Sequence, residues 1–209
     1  MPSAAILAGG RARRFEGQDK SALVVNGQTI LERQLSVLSE VSDEILLVGS
    51  RRPLRIPPGG VATRQIADRV ADSGPLGGLD AGLAACRAET LTVVACDMPF
   101  IAAGFLRHLA ALAADRPGVQ AVVPRTKRGY HPLCAVYTRA CAPIVARHLA
   151  ERRLKLVELL DVLNQSGRGR LLLVEEAELG RFGDPDRLLA NVNTPAEYEE
   201  LEALHDHRP

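Results

Sequence analysis

Apolar residues fall along this chain in short continuous blocks. Ala4 to Leu7, Glu44 to Gly49, Leu91 to Cys96, Val119 to Pro124 and Leu171 to Glu175 are such blocks, bounded by glycine, proline or charged residues. Runs of this length read as strands buried on both faces. Between them the apolar positions change to helical spacing. Ile30, Leu31, Leu35, Val37 and Leu38 predict a helix to about Val41, and Leu106, Leu109 and Leu112 predict another from Ile101 to Ala114. Further helices are expected from Leu79 to Ala88, Ala140 to Arg152 and Leu156 to Leu163. Val61 to Ala67 reads as a strand, and Leu23 to Val25 as a short one before an Asn26-Gly27 turn. Local chemistry supports two helix starts. Thr29 and Glu32 have the spacing of a capping box. Thr194 suits an N-cap, with Pro195 at the first helical position, where proline is tolerated.

Strands that alternate with helices predict a Rossmann-like, three-layer α/β/α fold with a mostly parallel sheet. One exception is built in. The strands ending at Pro124 and starting at His131 share only the loop 125–130, too short for a crossover, so at least one strand runs antiparallel. The 209 residues are read as a single domain, 1–209, with no internal repeat.

Composition narrows the function. Lys+Arg (26) and Asp+Glu (25) nearly cancel, which argues against a dedicated nucleic-acid binder. No run approaches the roughly 18–20 apolar residues of a membrane span, and the start lacks the basic region of a signal peptide. Cys86, Cys96, Cys134 and Cys141 show no CxxC spacing and read as small buried hydrophobes. A soluble, cytoplasmic protein is expected, with neither nucleic acid nor membrane as partner.

The candidate chemistry sits at strand ends, where open α/β sheets bind ligands. The first strand ends at Ala8-Gly9-Gly10 and runs into a basic loop with Arg11, Arg13, Arg14 and Lys20. Glycine lets backbone approach a polyphosphate, and arginine and lysine supply charge-assisted hydrogen bonds. Gly74-Pro75-Leu76-Gly77-Gly78 is a second glycine-rich turn into a helix, and Asp68 lies on the loop before it. Asp97 follows the Leu91 to Cys96 strand. It suits a hard cation such as Mg²⁺, which takes one or two protein carboxylates and fills its shell with phosphate and water; a helix N-cap is the alternative role. His131 follows a second basic loop, and Asn191 and Asn193 precede the last helix. Neither the P-loop nor GxGxxG is present.

Taken together, Leu7-Ala8-Gly9-Gly10 with Arg14 and Asp19-Lys20, Asp68 with Gly74 to Gly78, Cys96-Asp97-Met98-Pro99-Phe100, His131-Pro132-Leu133 and Asn191-Val192-Asn193-Thr194-Pro195 resemble the molybdenum cofactor guanylyltransferases. That family lies within the nucleotidyltransferase superfamily. The resemblance implies transfer of GMP from GTP to the terminal phosphate of molybdopterin, with Mg²⁺ and release of pyrophosphate. It implies a nucleotide half, about 1–100, and an acceptor half, about 101–209. Leu7, Ala8, Gly9, Gly10, Lys20, Asp68, Gly77 and Asp97 would bind nucleotide; Arg14, Lys20 and Asp97 would be catalytic, with the metal on Asp97. His131, Asn191 and Asn193 would face the acceptor, and molybdoenzymes or their chaperones would receive the product. One departure is visible: Phe15-Glu16 stands where the family usually has Met-Gly. Rival readings are a related transferase using CTP or a sugar or alcohol phosphate, and a non-catalytic module that only holds the cofactor.

Overall fold

The computed structural model describes residues 2–8, 24–25, 27–50, 56, 60–167, 169–192, 194 and 196–200. Its main sheet follows the order β10-β7-β9-β6-β1-β4-β5, with β8 paired to β7. These strands are β1 (Ser3–Leu7), β4 (Glu44–Val48), β5 (Ala62–Ile66), β6 (Thr90–Ala95), β7 (Ala121–Thr126), β8 (Gly129–Tyr130), β9 (Cys134–Thr138) and β10 (Leu171–Glu175). β1 pairs in parallel with β4 and β6, β4 with β5, and β7 with β10. β9 runs against both β6 and β7, so the 119–137 region folds antiparallel as its short loop requires. A small hairpin, β2 (Val24–Val25) with β3 (Gln28–Thr29), turns at Gly27 with φ +77°.

Alternate residues of each strand feed opposite faces, as the period of two demands. Ala4 and Ile6 of β1, Ile45 and Leu47 of β4, and Cys134 and Val136 of β9 pack with α1 (Ile30–Ser39) and α3 (Ala103–Ala114). Ala5 and Leu7, Leu46 and Val48, and Ala135 and Tyr137 pack on the other face with α2 (Gly74–Ala85), α4 (Ala142–Ala150) and α5 (Leu156–Gln165). The architecture is therefore the three-layer α/β/α expected, with a mostly parallel sheet.

Local signals explain the boundaries. The Thr29/Glu32 capping box forms: Glu32 N–H donates to Thr29 Oγ1 (3.1 Å) and Thr29 N–H to Glu32 Oε2 (2.8 Å). Glu197 N–H donates to Thr194 Oγ1 (3.1 Å) at the start of the helical stretch 196–200, the cap read from the sequence. The largest difference is at α2, which begins at Gly74 rather than Leu79 and ends at Ala85. Its glycines are packing positions. A Cβ on Gly78 would lie 3.2 Å from Leu7 Cδ2, and one on Gly82 would lie 2.8 Å from Leu91 Cδ2. Two glycines one turn apart let α2 lie close on β1 and β6, so residues that look helix-breaking in sequence hold the helix on the sheet. Two short helices were not foreseen, α6 (Glu176–Leu179) and α7 (Pro185–Leu188); each contributes one buried leucine, Leu179 and Leu188.

Candidate active site

The sheet topology decides where a ligand fits. From β1 the chain moves outward to β4 and β5, then returns to the other side of β1 as β6. Parallel neighbours whose connections leave in opposite directions open a crevice at their carboxyl ends. That crevice lies between the ends of β1 and β6, where Leu7 pairs with Ala95. Cys96 N–H donates to Leu7 O (3.3 Å), so Leu7, Ala8 and Asp97 converge on one point of the sheet edge. Ala8 N–H is held by Val48 O at 2.9 Å. Gly9, Gly10, Arg14, Glu16 and Lys20, which continue this strand end, lie outside the described residues.

Asp97 is half-buried on the turn after β6. Its backbone carbonyl accepts from Val192 N–H at 2.7 Å. This one bond joins the β6 turn to the Asn191-Val192 segment, nearly a hundred positions later, and sets exposed Asn191 beside it; Asn193 lies outside the described residues. Phe100 stacks on Tyr198 (centroids 4.9 Å apart) and Arg187 lies over Phe100 at 4.5 Å. With Ile30 and Val192 these rings form a small satellite core under the turn.

Asp68 is exposed, two residues beyond β5, on the same edge of the sheet. The loop it begins is pinned by Arg69 Nη1 to Asp80 Oδ2 (3.1 Å) and enters α2 with Asp72 and Gly74 at positive φ. Gly77 is buried in the first turns of α2. A Cβ there would come within 2.7 Å of Ser73 Cβ, so the position has a steric reason to be glycine apart from any ligand.

The second half of the edge follows from the antiparallel strand. Because β9 is reversed, its beginning, not its end, lies beside the carboxyl ends of β6 and β7. Ala95 N–H donates to Leu133 O (2.8 Å) and His131 N–H to Pro124 O (2.9 Å). His131 Nε2 shares a hydrogen bond with Thr126 Oγ1 at 2.9 Å. Burial lowers the His131 pKa, the Arg128 charge lowers it further, and Asp186 opposes both. Beside it, at the ends of β7 and β10, opens a cleft of ≈ 680 Å³ lined by Arg125, Thr126, Lys127, Glu175, Glu176 and Pro185, among others. Sequence reading noted the basic loop here but not the cleft. Its acidic wall comes from β10 and α6, about fifty residues away. Arg125 and Glu175 form a two-point ion pair (3.0 and 2.6 Å), and Lys127 N–H donates to Glu176 Oε2 at 2.9 Å.

Among the described residues no group of three or more His, Cys, Asp or Glu is placed to hold a metal. Among the described residues Asp97 is the half-buried carboxylate at the crevice, a donor that suits Mg²⁺ shared with a polyphosphate. No described helix is long and apolar enough to cross a membrane.

A mostly parallel α/β sheet with a switch-point crevice at β1/β6, and a carboxylate on the turn that follows β6, is the arrangement of a nucleotide-handling protein. Residues 4–166 match the family described as the MobA-like NTP transferase domain, and the chain belongs to that family. It is thus a nucleotidyltransferase, an enzyme. Among relatives, the molybdenum cofactor guanylyltransferase of Desulfosudis oleivorans is 32% identical over 199 residues, covering 95% of this chain and 93% of its own. A probable molybdenum cofactor guanylyltransferase of Opitutus terrae is 34% identical over 209 residues, covering 96% and 95%. Among solved structures, molybdopterin-guanine dinucleotide biosynthesis protein A of Archaeoglobus fulgidus superposes with a TM-score of 0.74 at 23% identity, covering 100% of both chains. That likeness is one of fold.

Proposed function

We propose that this enzyme transfers GMP from GTP to the terminal phosphate of molybdopterin. A phosphate oxygen of the acceptor attacks the α-phosphorus of GTP. The bond from that phosphorus to the bridging oxygen breaks, and pyrophosphate leaves with the electron pair. The observation that carries the reading is the meeting of Leu7, Ala8 and Asp97 at the β1/β6 switch point, beside the Asn191-Val192 segment. The names of the relatives support the choice of nucleotide and acceptor.

The attacking group is already an anion, so positioning and charge stabilisation matter more than a strong base. Asp97 would hold Mg²⁺; when bound, the metal neutralises charge on the phosphates and leaving group. Arg14 and Lys20 are assigned to the triphosphate as catalytic cations. Leu7 to Gly10, Asp68 and Gly77 are assigned to the nucleotide, and His131, Asn191 and Asn193 to the acceptor. The cleft lined by Thr126, whose hydroxyl bonds to His131 Nε2, would give the acceptor room. A neutral His131 donates or accepts a hydrogen bond there without adding charge. The two halves are read as parts of one domain, with molybdoenzymes or their chaperones receiving the product.

Pyrophosphate release with GTP, Mg²⁺ and molybdopterin, run beside CTP and ATP, tests the proposal. Release with GTP alone of the three supports it; release only with CTP, or none while GTP still binds, overturns it. Lys20→Ala should lower turnover at least tenfold with an unchanged melting temperature, and near-normal turnover would remove Lys20 from the catalytic set.

A further inference from the structure

Gln34 lies on the core face of α1 and is fully buried, at 0% exposure. Its neighbours on that face, Leu31, Leu35 and Leu38, are apolar. A leucine or methionine at 34 would complete the stripe. Instead the side-chain Nε2 donates to Ala95 O at 2.6 Å and to Met98 O at 3.0 Å, 61 and 64 residues along the chain. These two carbonyls bracket Cys96 and Asp97. Gln34 Oε1 is buried as well and has no hydrogen-bond partner among the described residues. A buried acceptor left without a partner costs stability. Packing alone therefore does not favour glutamine at this site, whereas a fork holding both ends of a turn does.

We propose that Gln34 is a positioning residue for Asp97. Its amide holds the Ala95 and Met98 carbonyls, while Val192 N–H holds the Asp97 carbonyl and Phe100 stacks on Tyr198. Three carbonyls of the turn are thus held by two segments distant in sequence, α1 and the Val192 segment, which fixes the backbone that carries the Asp97 carboxylate. A displacement of about 1 Å at such a group is enough to lower turnover sharply. The inference rests on the reading of Asp97 as the carboxylate that meets the Mg²⁺–nucleotide.

Gln34→Met keeps length and shape and removes both donors. Amide hydrogen exchange across residues 97–100 (at Asp97, Met98 and Phe100, since Pro99 has no N–H), the melting temperature, and the Mg²⁺ dependence of pyrophosphate release are measured in this variant and in the parent. The expected result is exchange at 97–100 faster by about tenfold or more with β4 unchanged, the signature of a local opening. The Mg²⁺ concentration for half-maximal rate should rise severalfold, with kcat largely restored at saturating Mg²⁺. Gln34→Glu, held neutral by burial, keeps one donor and should fall between. Unchanged exchange at 97–100 in a folded variant overturns the proposal, as does faster exchange throughout the sheet or failure of both variants to fold. Asp97→Asn, measured in parallel, separates the two ideas. If it leaves the Mg²⁺ dependence unchanged, the reading of Asp97 fails, whatever the exchange of the Gln34 variants shows.

Discussion

Glu44 is a carboxylate at 4% exposure, at the start of β4 and so at the opposite edge of the sheet from the crevice. It accepts from Ser3 Oγ (3.0 Å), Arg64 Nη2 (2.7 Å) and Arg87 N–H (3.2 Å). Burial pushes its pKa up, but the hydrogen bonds from Arg64, Arg87 and Ser3 and the Arg64 charge outweigh it and leave the pKa below the usual value. Glu44→Ala should lower stability by about 1–2 kcal/mol, because the buried Ser3 hydroxyl loses its acceptor while Arg64 and Arg87 regain water. Denaturant unfolding reads that loss, and KM for the nucleotide should stay unchanged because the carboxyl-end crevice is untouched. His148 is the reverse case. It is fully buried on α4, and neither ring nitrogen has a hydrogen-bond partner among the described residues. His148→Leu should leave stability unchanged or raise it by about 1 kcal/mol at neutral pH, since it removes two unmet polar atoms. A clear loss in the same titration would point to a partner that holds the ring.

Helix α2 carries the next prediction. Its placement rests on small residues, not on an amphipathic stripe. The Ser73 Cβ that faces Gly77 cannot swing away, because it is fixed to the backbone. Gly77→Ala must therefore shift the first turn of α2. It should lower the melting temperature by several degrees, for an overpacking cost of about 1–3 kcal/mol. The Gly78 contact is with the flexible end of Leu7, so Gly78→Ala should cost less. The same helix shows where sequence patterns fail. A Gly-Pro-Leu-Gly-Gly run reads as a loop, because glycine and proline break helices in the interior. Here proline lies in the first turn, where its missing N–H is no loss, and the sheet selects the glycines for closeness. By contrast, the capping box at Thr29 and Glu32 is a contact among residues three apart and was legible from spacing alone.

At the scale of the whole molecule, the carboxyl and imidazole shifts resolved among the described residues have one sign. Glu44, His131 and His148 all have pKa values lowered by folding. For His148, burial comes first, then the charges of Arg153 and Arg147, with Glu151 opposing. A lowered folded pKa means that the unfolded chain binds more protons, so stability rises with pH through the window. The histidine contribution is complete above about pH 6.5 and is lost as pH falls toward the folded values. The Glu44 contribution is lost further down, below the usual carboxylate pKa. Melting temperature should rise with pH in two steps, one below about pH 4.5 from Glu44 and one that ends near pH 6.5 from the histidines, and His148→Leu should flatten the upper one. A profile that falls over that range would contradict the assignment.

Most strands, most helices and the antiparallel exception at 119–137 were legible in the sequence, because each depends on residues close along the chain, while the short strand β8 forms inside what reads as the loop 125–130. The family motifs were legible for the same reason, each being a local run. Tertiary structure alone decided which strand ends meet. Nothing local says that β6 returns beside β1, that Val192 N–H meets Asp97 O, or that β9 inserts between β6 and β7 and so carries His131 to the edge formed by the carboxyl ends of β6 and β7. Gln34 is the sharpest instance. In sequence it is one polar residue in an amphipathic helix; in the fold it is buried, because its donors complete two carbonyls more than sixty positions away. Periodicity records which face a residue takes, but the partner of a buried polar group is set by the packing of distant segments.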